Sequence, residues 1–118
     1  AVIRELTEAI RLNPNFADAY YGRGLAYYEK RDWDRAIADY TQAIRINPNF
    51  AIAYHNRGSA YHNGKRDYDR AIADYTEAIR LNPNDANAYN NRGNSYQAKG
   101  DMTRANADFA RARELGYR

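Results

Sequence analysis

Apolar and small residues recur along the chain with the three-four rhythm of helices that bury one face. Tyr20, Gly24 and Tyr27 mark one such segment, and Ala36, Tyr40 and Ala43 mark the next. The pair then returns. "ADAYYGRGLAYYEK" comes back as "AIAYHNRGSAYHNG" and "ANAYNNRGNSYQAK", and "RAIADYTQAIRINP" (35–48) comes back as "RAIADYTEAIRLNP" (70–83). The chain opens on "AVIRELTEAIRLNP" and closes the pattern at 104–117 with "RANADFARARELGY". Prolines 14, 48 and 83 each sit in Asn-Pro-Asn and lie 34 and 35 residues apart. A fixed period in this range marks stacked helical units. Asp32, Asp67 and Asp101 precede the second segment of each unit, where a side-chain acceptor caps the first turn. Asn-Pro at the far end stops the helix, because the residue before proline is pushed out of the helical region. Each unit therefore reads helix, tight turn, helix, turn, in an all-α chain.

Placed in a 34-residue frame starting at Ala17, the recurring residues form a known signature. Tyr20, Gly24, Tyr27, Ala36, Tyr40, Ala43 and Pro48 carry it first, then Tyr54, Gly58, Tyr61, Ala71, Tyr75, Ala78 and Pro83. The third copy has Tyr89, Gly93, Tyr96, Ala105, Phe109 and Ala112, with Tyr117 at the proline position. This pattern resembles the tetratricopeptide repeat (TPR) family over the whole chain. The resemblance implies a right-handed superhelical solenoid of antiparallel helix pairs, with seven helices. Residues 1–16 read as the second helix of a truncated repeat, followed by repeats at 17–50, 51–85 and 86–118. The middle repeat carries one extra residue, around Asn63–Lys65 in its inter-helix turn.

The two ends read differently. Isoleucines seven apart (Ile3 and Ile10, Ile37 and Ile44, Ile72 and Ile79) form a stripe that a following unit would cover. In the last copy they become Asn106 and Arg113, as expected for a helix with no successor, so the C-terminus is expected near its natural place. At the other end Val2, Leu6 and Ala9 are expected to lack the first helix that would cover them. An upstream repeat in a longer parent chain, or self-association through this helix, is the expectation there.

Composition narrows the function classes. The chain has 118 residues, 28% charged, with a net charge of +3. No apolar run approaches the length that crosses a bilayer, so no membrane partner is expected. There are no cysteines, hence no disulfides or thiolate chemistry, and the compartment is left open. Nothing forms a catalytic constellation, and no cofactor or metal is expected. His55 and His62 lie seven apart on one helix, roughly 10 Å along the axis, too far to share an ion. Asp32/Asp34 and Asp67/Asp69 sit at helix starts, where capping and the helix dipole account for them. Arg23, Arg57 and Arg92 recur directly before the frame glycine, and Asp39, Asp74 and Asp108 recur on the second helix. A bidentate pair inside each repeat is the expectation, rather than a phosphate-binding stripe.

In TPR proteins the first helices line a concave surface that binds partners. By that resemblance the groove residues are Tyr21, Leu25 and Tyr28, then Ile52, His55, Asn56, Ser59 and His62, then Asn87, Asn90, Asn91 and Asn94. Tyr21 and Tyr28 are not required by the packing frame and read as an exposed aromatic face two turns long. The amides that follow can hydrogen-bond an extended backbone without reading its sequence. Of the residues with which some TPR domains clamp a C-terminal carboxylate, only Asn56 matches. Tyr21 and Leu25 stand at the first repeat's clamp positions, and Asn87 and Asn91 replace the basic residues of the third. The expected function is noncatalytic binding of a peptide or protein segment in this groove. The alternatives are a structural spacer or self-assembly element using the N-terminal helix face, and an RNA-binding helical repeat. The last is disfavoured because Asp18 and Glu29 break any positive stripe.

Overall fold

The computed structural model describes residues 2–117. Seven α-helices run α1 (Val2–Leu12), α2 (Ala17–Glu29), α3 (Trp33–Ile46), α4 (Ala51–Ala60), α5 (Tyr68–Leu81), α6 (Ala86–Ala98) and α7 (Met102–Glu114). No described residue is in a strand, and no described helix is long and apolar enough to cross a membrane. Each helix packs on its neighbours in sequence, and the extents of 47 × 24 × 23 Å are those of a stack rather than a ball. The radius of gyration is 14.8 Å, above the roughly 13–14 Å of a compact chain of this length.

Helix boundaries follow the side chains named above. Asp32, Asp67 and Asp101 accept from the backbone N–H of Arg35, Arg70 and Arg104, capping α3, α5 and α7. Asp85 does the same for α6 through Ala88 N–H. At the Asn-Pro-Asn turns, Asn13 and Asn47 Oδ1 accept from the N–H of Asn15 and Asn49, closing Asx turns. The tight turns inside the repeats need a left-handed residue, filled by Arg31 (φ 62°), Arg66 (φ 51°) and Gly100 (φ 86°). Asn63–Lys65 falls in a π-helical turn, Tyr61–Lys65, between α4 and α5. One widened turn absorbs an extra residue without shifting the helices on either side.

The core is made of small residues with tyrosines between them. Ala36, Tyr40, Ala43, Ala53, Ala60, Ala71, Ala78, Ala88, Ala105 and Ala112 are 0% exposed. Alanine at these positions brings the helix axes close, and the tyrosine rings fill what remains. Asp39, Asp74 and Asp108 are the buried charges. Arg23, Arg57 and Arg92 meet them with two bonds each: 2.8 and 2.8 Å, 2.8 and 2.8 Å, and 2.8 and 2.7 Å. The same guanidiniums donate to Thr7, Thr41 and Thr76 on the preceding helix, at 3.1–3.2 Å. One arginine thus closes a helix pair and ties it to the unit before. The threonine half of this clamp was missed in the sequence, although Thr7, Thr41 and Thr76 recur there. The equivalent position in α7 is Ala110.

The terminal stripes also fit their neighbours. Ile37, Ile44, Ile72 and Ile79 are half-buried, whereas Asn106 and Arg113 are exposed. In α1 no residue is buried, and Val2 is 57% exposed. Leu6 departs from the expectation of an open face. It turns toward Gly22, whose missing side chain leaves room for the Leu6 methyls.

Candidate functional site

Helices α2, α4 and α6 are the first helices of the three pairs, and the candidate groove residues lie on them. Between them runs a seam of cross-repeat hydrogen bonds. Asn56 Nδ2 donates to Tyr21 Oη at 2.9 Å, and Asn63 Nδ2 donates to Tyr28 Oη at 2.9 Å. One unit on, Asn91 Nδ2 lies 3.1 Å from His55 Nε2, and Ser95 Oγ lies 2.7 Å from His62 Nδ1. These four pairs join residues one repeat apart, so the same face of each helix is bonded to the next.

The seam corrects the reading of Tyr21 and Tyr28. Both are half-buried, not free aromatic anchors. Tyr21 stacks against Tyr40 and Phe50 at 5.9 and 5.1 Å, and Tyr28 meets Trp33 edge-on at 5.0 Å. Phe50 recurs as Phe16 and Trp33 as Tyr68, and His62 meets Tyr68 edge-on at 5.0 Å as Tyr28 meets Trp33, so these aromatic contacts were also periodic. His55 is likewise seam rather than lining. Its side chain is 12% exposed and its ring packs edge-on against Tyr75. Burial holds its pKa below the usual histidine value, and Asp85, 3.5 Å from Nδ1, only partly offsets this. Asn91 Nδ2 faces Nε2, and the buried Nδ1 has no hydrogen-bond partner among the described residues. Burial also lowers the pKa of His62.

Above the seam, Tyr28, Ser59, His62, Asn63, Tyr75, Asn91 and Asn94 surround a concavity of about 240 Å³. Every lining side chain carries a hydrogen-bonding group, and none is a carboxylate, an amine or a guanidinium. Asn63, Asn87 and Asn94 are exposed, while Asn56, Asn90, Asn91, Ser59 and Leu25 are half-buried. Ile52 is 45% exposed and stands at the apolar end of the α4 face. Asn87 and Asn94 make no side-chain hydrogen bond among the described residues, and Asn56 and Asn91 each spend only one of the several bonds an amide can make. No group of three or more His, Cys, Asp or Glu with the spacing of a metal site occurs among the described residues.

Beneath the concavity the three repeats differ in one buried hydroxyl. Tyr75 Oη is 2.8 Å from Ser59 Oγ, and burial raises its pKa to about 12. In the third repeat Phe109 has no hydroxyl, and Asn94 stands where Ser59 does. In the first, Leu25 stands where Ser59 does, and Tyr40 Oη is buried with no partner among the described residues. A buried hydroxyl without a partner forfeits its solvation. Tyr40→Phe is therefore expected to be neutral or stabilising by up to about 1 kcal/mol in urea denaturation, and Tyr75→Phe to destabilise by about 1 kcal/mol.

Tetratricopeptide repeat profiles match residues 17–50, 39–73 and 86–115, and a TPR repeat profile matches 65–100. Together they span 17–115. A crystal structure of MamA superimposes with a TM-score of 0.92 at 31% identity, over 96% of this chain and 66% of that one. A second MamA structure is spanned over 61% of its length, so the chain corresponds to about two thirds of those proteins. The first TPR of Spaghetti (RPAP3), bound to the HSP90 peptide SRMEEVD, has a TM-score of 0.82 at 29% identity, over 85% of this chain and 79% of that one. The Arabidopsis OM64 TPR domain gives 0.82 at 29%, over 85% and 82%. No curated protein matches by sequence.

Proposed function

The chain belongs to the tetratricopeptide repeat family, and from that premise we propose that it is a noncatalytic protein-interaction module whose concave face, built by α2, α4 and α6, holds an extended peptide or protein segment. The observation that carries this reading is the concavity of about 240 Å³ walled by uncharged hydrogen-bonding side chains. An extended segment presents one N–H and one C=O per residue, and both are costly to bury unpaired. Asn91, Asn94 and Asn63 offer donors and acceptors to meet them. The seam beneath holds the surface in one shape, so little ordering entropy is lost on binding.

Peptide binding by the similar Spaghetti domain supports a peptide ligand in general. The acidic character of SRMEEVD does not carry over. Positions that would supply cations are Tyr21, Leu25, Asn87 and Asn91 here. A segment rich in backbone contacts and free of an obligatory carboxylate fits better, and its affinity should depend weakly on salt.

The test is a selection from a displayed library of unstructured 12-residue peptides, followed by fluorescence anisotropy on the winners. Asn94→Trp, which fills the concavity, and Asn87→Ala/Asn94→Ala are expected to weaken binding by about tenfold or more. Neither asparagine is tied into the seam, so the melting temperature should stay within a few degrees. Winners that bind Asn94→Trp as well as the parent chain would show the ligand to lie elsewhere.

A further inference from the structure

Ser59 and Asn94 hold equivalent places on α4 and α6, whereas Leu25 holds that place on α2. The concavity that Ser59 and Asn94 line has a volume of about 240 Å³. That is below the roughly 300–1,000 Å³ of pockets that enclose a drug-sized ligand, and it suits a single side chain. Its wall is neutral. Arg57 and Arg92, on the same helices, are spent on Asp74 and Asp108. Burial lowers the pKa of His62, whose Nδ1 lies 2.7 Å from Ser95 Oγ, so the imidazole is uncharged at pH 7. The bonds already made inside the wall fix what is left over. Asn63 Nδ2 is given to Tyr28 Oη, which leaves the Tyr28 O–H and the Asn63 Oδ1. One hydroxyl of the Ser59–Tyr75 pair donates to the other, so one O–H remains. Asn91 turns Nδ2 to His55 and keeps Oδ1. Asn94 lines the concavity with its whole amide unspent among the described residues. Donors and acceptors thus stand side by side with no charge between them.

We propose that this concavity takes one carboxamide side chain, a glutamine or an asparagine, from the segment held in the groove; the inference rests on the groove being the binding face. A carboxamide carries two N–H donors and a carbonyl with two lone pairs, the same mix that the wall leaves over. A carboxylate carries acceptors only. It would set its charge against the Asn63 and Asn91 carbonyls, and no cation in the wall would offset its lost hydration. An ammonium or a guanidinium would bring donors only and meet no carboxylate there. An apolar side chain of the same length would displace water from these groups and bond to none of them. Glutamine and glutamate are nearly isosteric, so the discrimination is one of hydrogen bonding and charge rather than of shape. One unit back the place of Ser59 is apolar, so a single position of the segment is read in this way.

The probes are the peptides selected from the displayed library, each titrated by anisotropy against the full chain. Those whose binding Asn94→Trp weakens are expected to share a glutamine or asparagine at a fixed position. Replacing that residue by its acid, or by methionine, should weaken binding by about tenfold or more. Asn94→Lys sets an ammonium in the wall and should reverse the preference, so that the acid peptide binds more tightly than its amide parent. Asn94 is exposed and outside the seam, so this variant keeps its fold, which circular dichroism verifies. The proposal is overturned by groove-bound peptides that share no carboxamide, by equal affinity for the amide and acid forms, or by a preference that Asn94→Lys leaves unchanged. Each of those results leaves the groove standing as the binding face. Peptides indifferent to Asn94→Trp, or a selection that yields no binder, would overturn both readings together.

Discussion

Arg57→Ala is expected to lower stability by about 3–5 kcal/mol, the cost of stripping one partner from a buried ion pair, and to lower the melting temperature by about 10 °C or more. Asp74, whose side chain is 8% exposed, would be left in the core without its cation. Arg57 also sits over the Tyr54 ring at 5.6 Å and donates to Thr41 of the preceding unit. Its removal therefore weakens the repeat and its coupling to the neighbour together. In a stack whose stability is a sum of unit and interface terms, that should broaden the unfolding transition as well as shift it. Arg57→Lys should recover little, since a compact ammonium lacks the planar fork that meets both carboxylate oxygens while reaching the threonine on the other side.

The same variant carries a pH signature. In the parent chain burial already holds the Asp74 pKa above the ordinary aspartate value, and Arg57 works against that rise. Removing the guanidinium lifts the folded pKa further. A carboxyl whose folded pKa exceeds its unfolded one contributes stability that is present below the unfolded pKa and lost as pH rises through the folded pKa. The deficit of Arg57→Ala should accordingly shrink when denaturation is measured near pH 4 rather than pH 7. A deficit that stays constant, or grows, would mean Asp74 finds solvent or another partner on mutation. Thr41→Val, which leaves the ion pair whole, should cost no more than about 1 kcal/mol and show no such pH dependence.

What the sequence disclosed and what it hid divide along the period. The arginine–aspartate pairs were legible because both members recur at fixed positions, and a geometry that works once works three times. The capping aspartates were legible for the same reason. The threonine end of the clamp was equally periodic and was overlooked. Its signal was the recurrence of Thr7, Thr41 and Thr76 at one frame position. Tyr21 and Tyr28 were read as exposed because only the signature positions were assigned to packing, although their partners Phe50 and Trp33 recur as the aromatics Phe16 and Tyr68. The seam of hydrogen bonds was out of reach. Tyr21–Asn56 and His55–Asn91 use different chemistry at equivalent places, and a frame built on identity does not reveal equivalence of role.

Gly64→Ala should be the most damaging single methyl added to the chain, at about 2–3 kcal/mol. A Cβ there would strike the Trp33 indole at Cγ, Cδ2 and Cδ1, closer than a Cβ added at any other glycine comes to its neighbours. The π-helical turn lays Gly64 directly on the indole of the preceding repeat. Lys65 reaches Asp34 beside it at 2.7 Å, and Asn63 reaches Tyr28. Three successive residues of the irregular turn thus hold the first repeat, and the lysine contact recurs as Lys99 on Asp69 one unit on. Trp33 cannot yield easily, since it is wedged against Tyr28 and starts α3 straight after the Asp32 cap. The methyl would displace both aromatics and, through Tyr28, the rim of the groove. A double-mutant cycle separates this clash from any intrinsic backbone effect. In a Trp33→Ala background, which destabilises the chain on its own account, Gly64→Ala should become neutral within about 0.5 kcal/mol, because the ring it strikes is gone. An undiminished cost there would place the strain in the π-helical backbone itself, and the turn would then be a conformational requirement rather than a packing one.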